Sequence, residues 1–327
     1  MRVFDLHCDT VDSLAYASYG AFSEYVQGAE GGDLVHNGIQ LAASRMPCPW
    51  CQCYAVWVPD DLSAFGKTPL EFYREARDWF LAHTSPEGPV VQVRDARNID
   101  AVLENGQVAA ILTIENGLPL TSLELVDEIA ADGVKMVTLT WNGANAIAHG
   151  SQTAGGLTSY GREVLRAMEE RHIVADVSHL NDESFWDVAR TARRPFAASH
   201  SNARTVCGHP RNLTDDQFRA IVDAGGIVGI NYYRAFISGR SNGSAPTDGE
   251  VTFDELAAHV EHFLDLGGEN AIALGSDFDG SDTPEWLDAC EKVAAFYEQI
   301  AGRFGQELAD RMFWGNAHYF FMQNERA

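Results

Sequence analysis

Positive charge is scarce in this chain. Its 327 residues hold 23 Lys and Arg against 47 Asp and Glu, a formal net charge of −24. Such a surface repels phosphate backbones and anionic bilayers, so no nucleic-acid or membrane partner is expected. Long apolar runs are missing as well; none approaches the ~20 residues that span a bilayer. Arg2 is followed by only a short apolar stretch before Asp5, and the ending Gln323-Asn324-Glu325-Arg326-Ala327 is polar. Neither a signal peptide nor an anchor is therefore expected. Six cysteines are too few for a disulfide scaffold in this length. Cys48, Cys51 and Cys53 cluster, and a Cys-x-x-Cys could be redox-active or bind zinc. No second pair lies nearby to complete four ligands, so reduced thiols beside a strand are expected. Short repeats and low-complexity linkers are also lacking, which favours a single domain over residues 1–327.

What the chain does contain is a recurring order: short apolar strand, loop, amphipathic helix. Strands are predicted at Val3–Leu6, Cys53–Val58, Val108–Ile114, Met136–Thr140, Ile173–Val177, Pro195–Ala198, Ile227–Asn231 and Ile272–Leu274. Most are unbroken apolar runs, the pattern of parallel strands covered on both faces. Between them, Thr68-Pro69-Leu70-Glu71, Thr214-Asp215-Asp216-Gln217 and Thr252-Phe253-Asp254-Glu255 read as helix starts with capping boxes. Ser122–Ala131, Gly161–His172 and Asp182–Thr191 supply further helices. Eight alternations predict an α/β fold of the (β/α)8 TIM-barrel type, with a doubly wound open sheet as the alternative. Gly28–Gln52 reads as an irregular insertion. Ser238–Gly249, rich in Gly and Ser with Asn242 and Pro246, reads as a mobile loop near the barrel mouth or a plain surface loop.

In such barrels the working residues sit where strands end, on the C-terminal face. The first strand runs into His7 and Asp9, two apart and so able to face one side in extended chain. Later strands end in Glu115-Asn116-Gly117, Trp141-Asn142, Ser178-His179, Ser199-His200 and Ser276-Asp277-Phe278-Asp279-Gly280. Three imidazoles and three or four carboxylates thus converge on one rim. Imidazole nitrogen with carboxylate oxygen suits zinc or a similar borderline ion. His7, Asp9, His179 and His200 are four such donors, and Glu115, on a strand between them, could bridge two ions. Two metals ~3.5–4 Å apart can hold a hydroxide between them and offset charge on a substrate carbonyl. Asp277 could be a further ligand, a residue that orients one, or the proton shuttle. Asp279, in a Gly-bounded turn, reads as structural. Arg211, in His209-Pro210-Arg211-Asn212-Leu213, could clamp a substrate carboxylate or form a surface ion pair.

These motifs, in this order and spacing over nearly the whole chain, resemble the membrane dipeptidase family of zinc-dependent (β/α)8 hydrolases, within the wider amidohydrolase-type barrels. The motifs are Asp5-Leu6-His7-Cys8-Asp9-Thr10, Ile114-Glu115-Asn116-Gly117, Leu139-Thr140-Trp141-Asn142-Gly143, Asp176-Val177-Ser178-His179, Ser199-His200-Ser201, Arg211-Asn212-Leu213 and Gly275-Ser276-Asp277-Phe278-Asp279-Gly280. The resemblance implies two Zn2+ per chain. His7 and Asp9 would hold one, His179 and His200 the other, and Glu115 would bridge. Arg211 would bind the free carboxylate of a dipeptide and Asp277 would be the acid/base, with Tyr233 helping to position substrate. The family cleaves dipeptides, often with a D-residue at the C-terminal position, and some members open β-lactam rings.

Two departures stand out. Trp141 occupies the place where the mammalian proteins carry a histidine thought to polarise the substrate carbonyl, and His149 on the same loop is either its substitute or a surface residue. The secretion signal, anchor signal and matching disulfide pattern of the mammalian forms are missing, which is consistent with a bacterial-type cytoplasmic enzyme. The expectation is a zinc dipeptidase, with a homodimer possible because relatives are commonly dimers. One alternative is an amidohydrolase-like barrel acting on N-acyl amino acids or another amide or lactone. A further one is a non-catalytic binding barrel.

Overall fold

The computed structural model describes residues 1–16, 46–240 and 251–326. Nine strands lie among them: β1 (Val3–Cys8), β2 (Trp50–Trp57), β3 (Val90–Gln92), β4 (Val108–Glu115), β5 (Val134–Thr138), β6 (Val174–Asp176), β7 (Ala197–Ala198), β8 (Ile227–Ile230) and β9 (Ile272–Leu274). All pairings are parallel. Residues 51–57 of β2 pair without a break with residues 109–115 of β4, which closes an eight-stranded ring through β5, β6, β7, β8, β9 and β1. Closure excludes the open doubly wound sheet; this is a (β/α)8 barrel. The short β3 lies outside the ring, against the start of β4.

Alternate strand residues divide the core in two. Phe4, Cys53, Ile111, Met136, Val174 and Ile227, with others from every ring strand, form one cluster with Ala317, Phe320 and Phe321. Only the barrel interior can bring one residue from each strand together, so the C-terminal helix Asn316–Arg326 is its floor. The intervening residues, such as Val56, Leu112, Val137 and Leu274, pack against the surrounding helices. The predicted capping boxes form at Thr68, Thr214 and Thr252. Helix Leu123–Asp132 ends on Gly133, whose φ of 89° suits a residue without Cβ.

Two strand seams are thin. Asp5–Leu274 is the register pair joining β1 to β9, and Asp176–Ala197 the one joining β6 to β7. Each is reinforced by a buried carboxylate. Asp5 accepts the backbone N–H (2.8 Å) and hydroxyl (2.5 Å) of Ser276, and Asp176 accepts those of Ser199 (2.9 and 2.5 Å).

Two expectations need correction. Val90–Gln92 was not anticipated as a strand, because three residues carry no readable alternation. Trp50–Gln52, assigned to the irregular insertion, opens β2: Gln52 is a poor strand former, but here its side chain accepts from Trp50 (2.9 Å) inside the fold. Residues 28–45 of that insertion and 241–249 of the Gly/Ser-rich loop lie outside the described residues. Among the described residues no helix is long and apolar enough to cross a membrane. None of the cysteines forms a disulfide among the described residues; burial holds Cys51 and Cys53 well above the ordinary thiol pKa and pushes Cys48 up to about 11, so none of these three is a ready thiolate.

Candidate metal centre

The rim at the C-terminal ends of the strands is built by sharp exits. His7 is the next-to-last residue of β1 and Glu115 is the last residue of β4. His179 follows β6, His200 follows β7 and Asp277 follows β9. His179 and Asp277 have φ of 69° and 62°, a left-handed conformation that side-chain-bearing residues rarely adopt. The turn aims each side chain back over the barrel mouth instead of along the strand, and the strain is local to the site.

The donor atoms converge. Glu115 Oε1 lies 2.8 Å from His179 Nε2 and 3.6 Å from His200 Nε2, and its Oε2 lies 3.6 Å from His7 Nε2. His7 Nε2 is also 3.4 Å from Asp9 Oδ2 and 3.9 Å from Asp277 Oδ1. The two remaining imidazoles face each other, His179 Nε2 to His200 Nε2, at 2.9 Å. Ligand atoms of His7, Glu115 and His200 lie within 4.8 Å of one another, and so do those of His7, Asp9 and Asp277. His7 belongs to both groups, so the halves of the centre overlap more than an assignment of His7 and Asp9 to one ion suggests.

Burial and mutual charge set the protonation. Desolvation, with Asp9 next, raises Glu115 to about 8. Desolvation also raises Asp277 to about 6, against the pull of His7. Burial opposes a charged His7, yet Asp9 and Glu115 outweigh it and hold its pKa well above the ordinary value. His179 and His200 are driven well below theirs, by burial first, with Arg211 and His7 adding to it. A buried cluster of acids and imidazoles in which one ring takes up the balancing proton is a cation site by its chemistry. The residues fit a metal on structural grounds too: among the described residues, His7 Nε2 and Asp9 Oδ1 are buried without a hydrogen-bond partner, which is costly unless something bonds them.

Around this core sit the other predicted residues. Arg211 is buried, with its guanidinium 5.3 Å over the Phe236 ring and Nη2 3.4 Å from the His200 carbonyl. Burial brings it down to about 10, while Glu115 and Asp277 act to keep its charge. Among the described residues its Nε has no hydrogen-bond partner. Tyr233 packs edge-on to Phe236 at 4.8 Å, and burial, with the Asp277 carboxylate next, raises its pKa. Trp141 stands at the rim, its ring 6.1 Å from His179 and 5.1 Å from Trp57. His149 is engaged elsewhere: its Nδ1 is 3.0 Å from the Gly156 carbonyl and its ring lies against Gly155. Asp279 is structural as expected, accepting the Thr10 hydroxyl at 2.6 Å.

Sequence reasoning missed several supports. Asn231 donates to Asp277 Oδ2 at 3.0 Å, Asn142 Oδ1 lies 3.0 Å from His179 Nδ1, and Ser199 Oγ lies 2.7 Å from His200 Nδ1. Each stood beside a quoted motif, and polar residues directly following strands were the available signal. Asp12, buried on the helix after β1, accepts the Trp57 N–H, and burial raises its pKa well above the carboxylate range. Gly280 lies so close to the acids that a Cβ there would come 1.8 Å from Asp9 Oδ2 and 3.0 Å from Asp277 Oδ1.

A parallel eight-stranded barrel with a buried His/carboxylate cluster at its C-terminal rim defines a metal-dependent (β/α)8 protein. The family model of membrane dipeptidase, peptidase family M19, matches residues 2–327, and the chain belongs to that family of metallo-dipeptidases. An uncharacterized Klebsiella pneumoniae protein from the pqqA 5′ region is 36% identical over 195 residues, 57% of this chain and 70% of that protein. An uncharacterized Schizosaccharomyces pombe dipeptidase is 32% identical over 226 residues, 63% of this chain and 53% of that protein. This chain therefore spans about half the length of the yeast relative. Among solved structures, a Rhodobacter sphaeroides metallopeptidase liganded with a phosphinate mimic of L-Ala-D-Ala superimposes with a TM-score of 0.84 at 23% identity, covering 99% of each chain. A dipeptidase described as a family M19 metallopeptidase gives the same score and identity, covering 100% of this chain and 99% of the other. At that identity the likeness speaks for the fold.

Proposed function

We propose that this protein, acting as a single barrel over residues 1–327, is a zinc-dependent dipeptidase whose substrates include dipeptides with a C-terminal D-residue. The observation that carries the reading is the pairing of a buried metal-capable cluster with one buried, incompletely bonded guanidinium beside it. His7, Asp9, Glu115, His179 and His200 would hold two zinc ions, with Glu115 bridging. Zinc there would supply water of lowered pKa, ~7, as nucleophile and a positive charge for the scissile carbonyl oxygen.

The chain's own groups do the rest. Arg211, whose Nε has no hydrogen-bond partner among the described residues and whose charge burial makes costly, receives the dipeptide's terminal carboxylate through charge-assisted hydrogen bonds. A clamp at a fixed distance from the cluster selects short peptides. Asp277, raised to about 6 and oriented by Asn231 at 3.0 Å, takes the proton of the attacking water and hands it to the leaving amine. Tyr233 flanks the carboxylate end and Trp141 the His179 side. His149 has no role at the bond being cut. The Rhodobacter sphaeroides relative's dipeptide-mimic complex supports the substrate class.

The test is amino-acid release by zinc-loaded protein from a panel with L- and D-residues at the second position, a matched tripeptide and an N-acylated amino acid, together with metal content by plasma emission. Dipeptide turnover without tripeptide turnover is expected. Turnover of the acylated compound alone would refute the dipeptidase reading and keep the metal centre.

A further inference from the structure

The unassigned groups at the site are Asp176 and Ser199, and their hydrogens can be counted. Asp176 lies wholly inside the protein. Its Oδ1 accepts the N–H of Ser178 at 3.0 Å and of Ser199 at 2.9 Å. Its Oδ2 accepts the Thr138 hydroxyl at 2.6 Å and the Ser199 hydroxyl at 2.5 Å. An ionised carboxylate only accepts, and four donors saturate it. A hydroxyl has one proton. Ser199 Oγ lies within reach of three acceptors: the Asp176 carboxylate at 2.5 Å, His200 Nδ1 at 2.7 Å and, farther off, Ser178 Oγ at 3.4 Å. A hydrogen bond to an anion is about twice as strong as one to a neutral nitrogen, so the proton goes to Asp176. The short contact to His200 is then satisfied one way: Nδ1 carries the hydrogen and donates to Ser199 Oγ.

We infer that Asp176 and Ser199 are positioning residues which lock His200 in the Nδ1–H tautomer, leaving Nε2 bare toward Glu115 and His179. The opposite ring is treated in part alike. His179 Nδ1 faces the carbonyl oxygen of Asn142 at 3.0 Å, an acceptor that favours Nδ1–H, while Glu115 Oε1, 2.8 Å from Nε2, competes for the same proton, so the lock proper belongs to His200. Two bare nitrogens 2.9 Å apart repel unless a cation lies between them. The chain therefore prepares these two ligands before metal arrives, and at His200 and His179 metal capture does not have to move a ring proton, whereas His7, which takes up the balancing proton, must release one. Fixing a ligand's tautomer in this way is worth about 10–100-fold in metal affinity.

The inference rests on the rim being a metal centre, and the test separates the two. Protein labelled with 15N-histidine and stripped of metal is examined by long-range 1H–15N correlation, with His200 assigned by its loss in His200→Gln. Wild type should show His200 protonated at Nδ1 and bare at Nε2. Ser199→Ala should lose that preference and bind zinc 10–100-fold more weakly in chelator competition. Ser199→Thr, which keeps the hydroxyl, should restore both. Asp176→Asn can donate to Ser199 Oγ, turn its proton toward the ring and shift His200 to Nε2–H; if it does not fold, the Ser199 pair carries the test. A wild-type Nε2–H tautomer, or Ser199→Ala with wild-type tautomer and affinity, overturns the inference. A wild-type protein with bare Nε2 that takes up no zinc would refute the metal reading and leave the tautomer lock standing.

Discussion

Gly280→Ala adds one methyl group where the structure leaves no room for it. The new carbon would lie 1.8 Å from Asp9 Oδ2, 2.7 Å from its Cγ and 3.0 Å from Asp277 Oδ1. Real Cβ atoms do not come within 3.0 Å of a neighbour, so the Asp9 carboxylate or the loop backbone must yield by about 1.2 Å. Protein–metal distances tolerate about 0.2 Å. A shift several times larger removes Asp9 as a ligand and disturbs Asp277 as well. Misplacement by about 1 Å costs on the order of 100-fold in rate, so kcat/KM for a dipeptide should fall by ~10²-fold. Zinc retained after dialysis should fall from two ions toward one. The assay pairs plasma-emission zinc content with amino-acid release. Denaturant unfolding of the metal-free variant separates a displaced ligand from a damaged fold, overpacking alone costing about 1–3 kcal/mol. Full zinc content with wild-type kcat/KM would refute the reasoning, because it would mean that the Asp9 carboxylate can leave its place on the Gly280 Cα at no cost to the site.

Other expectations follow from the same geometry. Arg211→Met keeps much of the volume and loses the charge, so kcat/KM for dipeptides should drop by ~30-fold or more, at about 2 kcal/mol for the lost charged hydrogen bonds, with zinc content unchanged. Its unfolding free energy should not fall, because burial already disfavours that charge. His259 is buried, accepts the Ala203 N–H at 3.1 Å and lies 2.9 Å from the Ile237 carbonyl, and burial lowers its pKa from 6.5 to about 4. The folded state thus holds it neutral while the unfolded chain takes a proton below pH 6.5. Its stabilisation is complete above pH 6.5 and lost as pH falls toward 4, a loss of about 3 kcal/mol. Urea titrations should show that decline in wild type and a correspondingly flatter profile in His259→Gln; equal slopes would contradict it. Thr252→Ala breaks the capping box with Glu255 and should cost about 1 kcal/mol in the same assay, without changing activity.

Much of this was readable in advance, for physical reasons that can be named. Apolar runs such as Val108–Ile114 are long enough to declare a buried parallel strand, and threonine caps fix where helices begin. His179, His200 and Asp277 were visible because a polar residue directly after a buried strand has few other places to point. The left-handed backbone at His179 and Asp277 was not visible, since even Asp and His, which enter that region more often than most side-chain-bearing residues, do so rarely; the surrounding fold imposes it. Nor was Val90–Gln92, too short for any period, or the start of β2 at Trp50, whose fit depends on strands distant in sequence. The backbone of His149 lies beside the His179 segment, but its ring is turned to its own loop, at the Gly156 carbonyl, a direction that sequence does not encode. The roles of Ser199, Asn142 and Asn231 depend on a register between strands, which no single segment encodes.

The two thin seams of the barrel wall tie its construction to its chemistry. Where β1 meets β9 and β6 meets β7, Asp5 and Asp176 act as side-chain stitches beside a short backbone ladder. The same two gaps let His7, Asp277, His179 and His200 turn inward. A longer ladder there would strengthen the wall and close the space in which the ligands turn. Selection for sturdiness and selection for catalysis therefore act on the same few residues. Stabilising this protein without harm to the centre means working on the other side of the ring, along β2 and β4, where the weave is continuous.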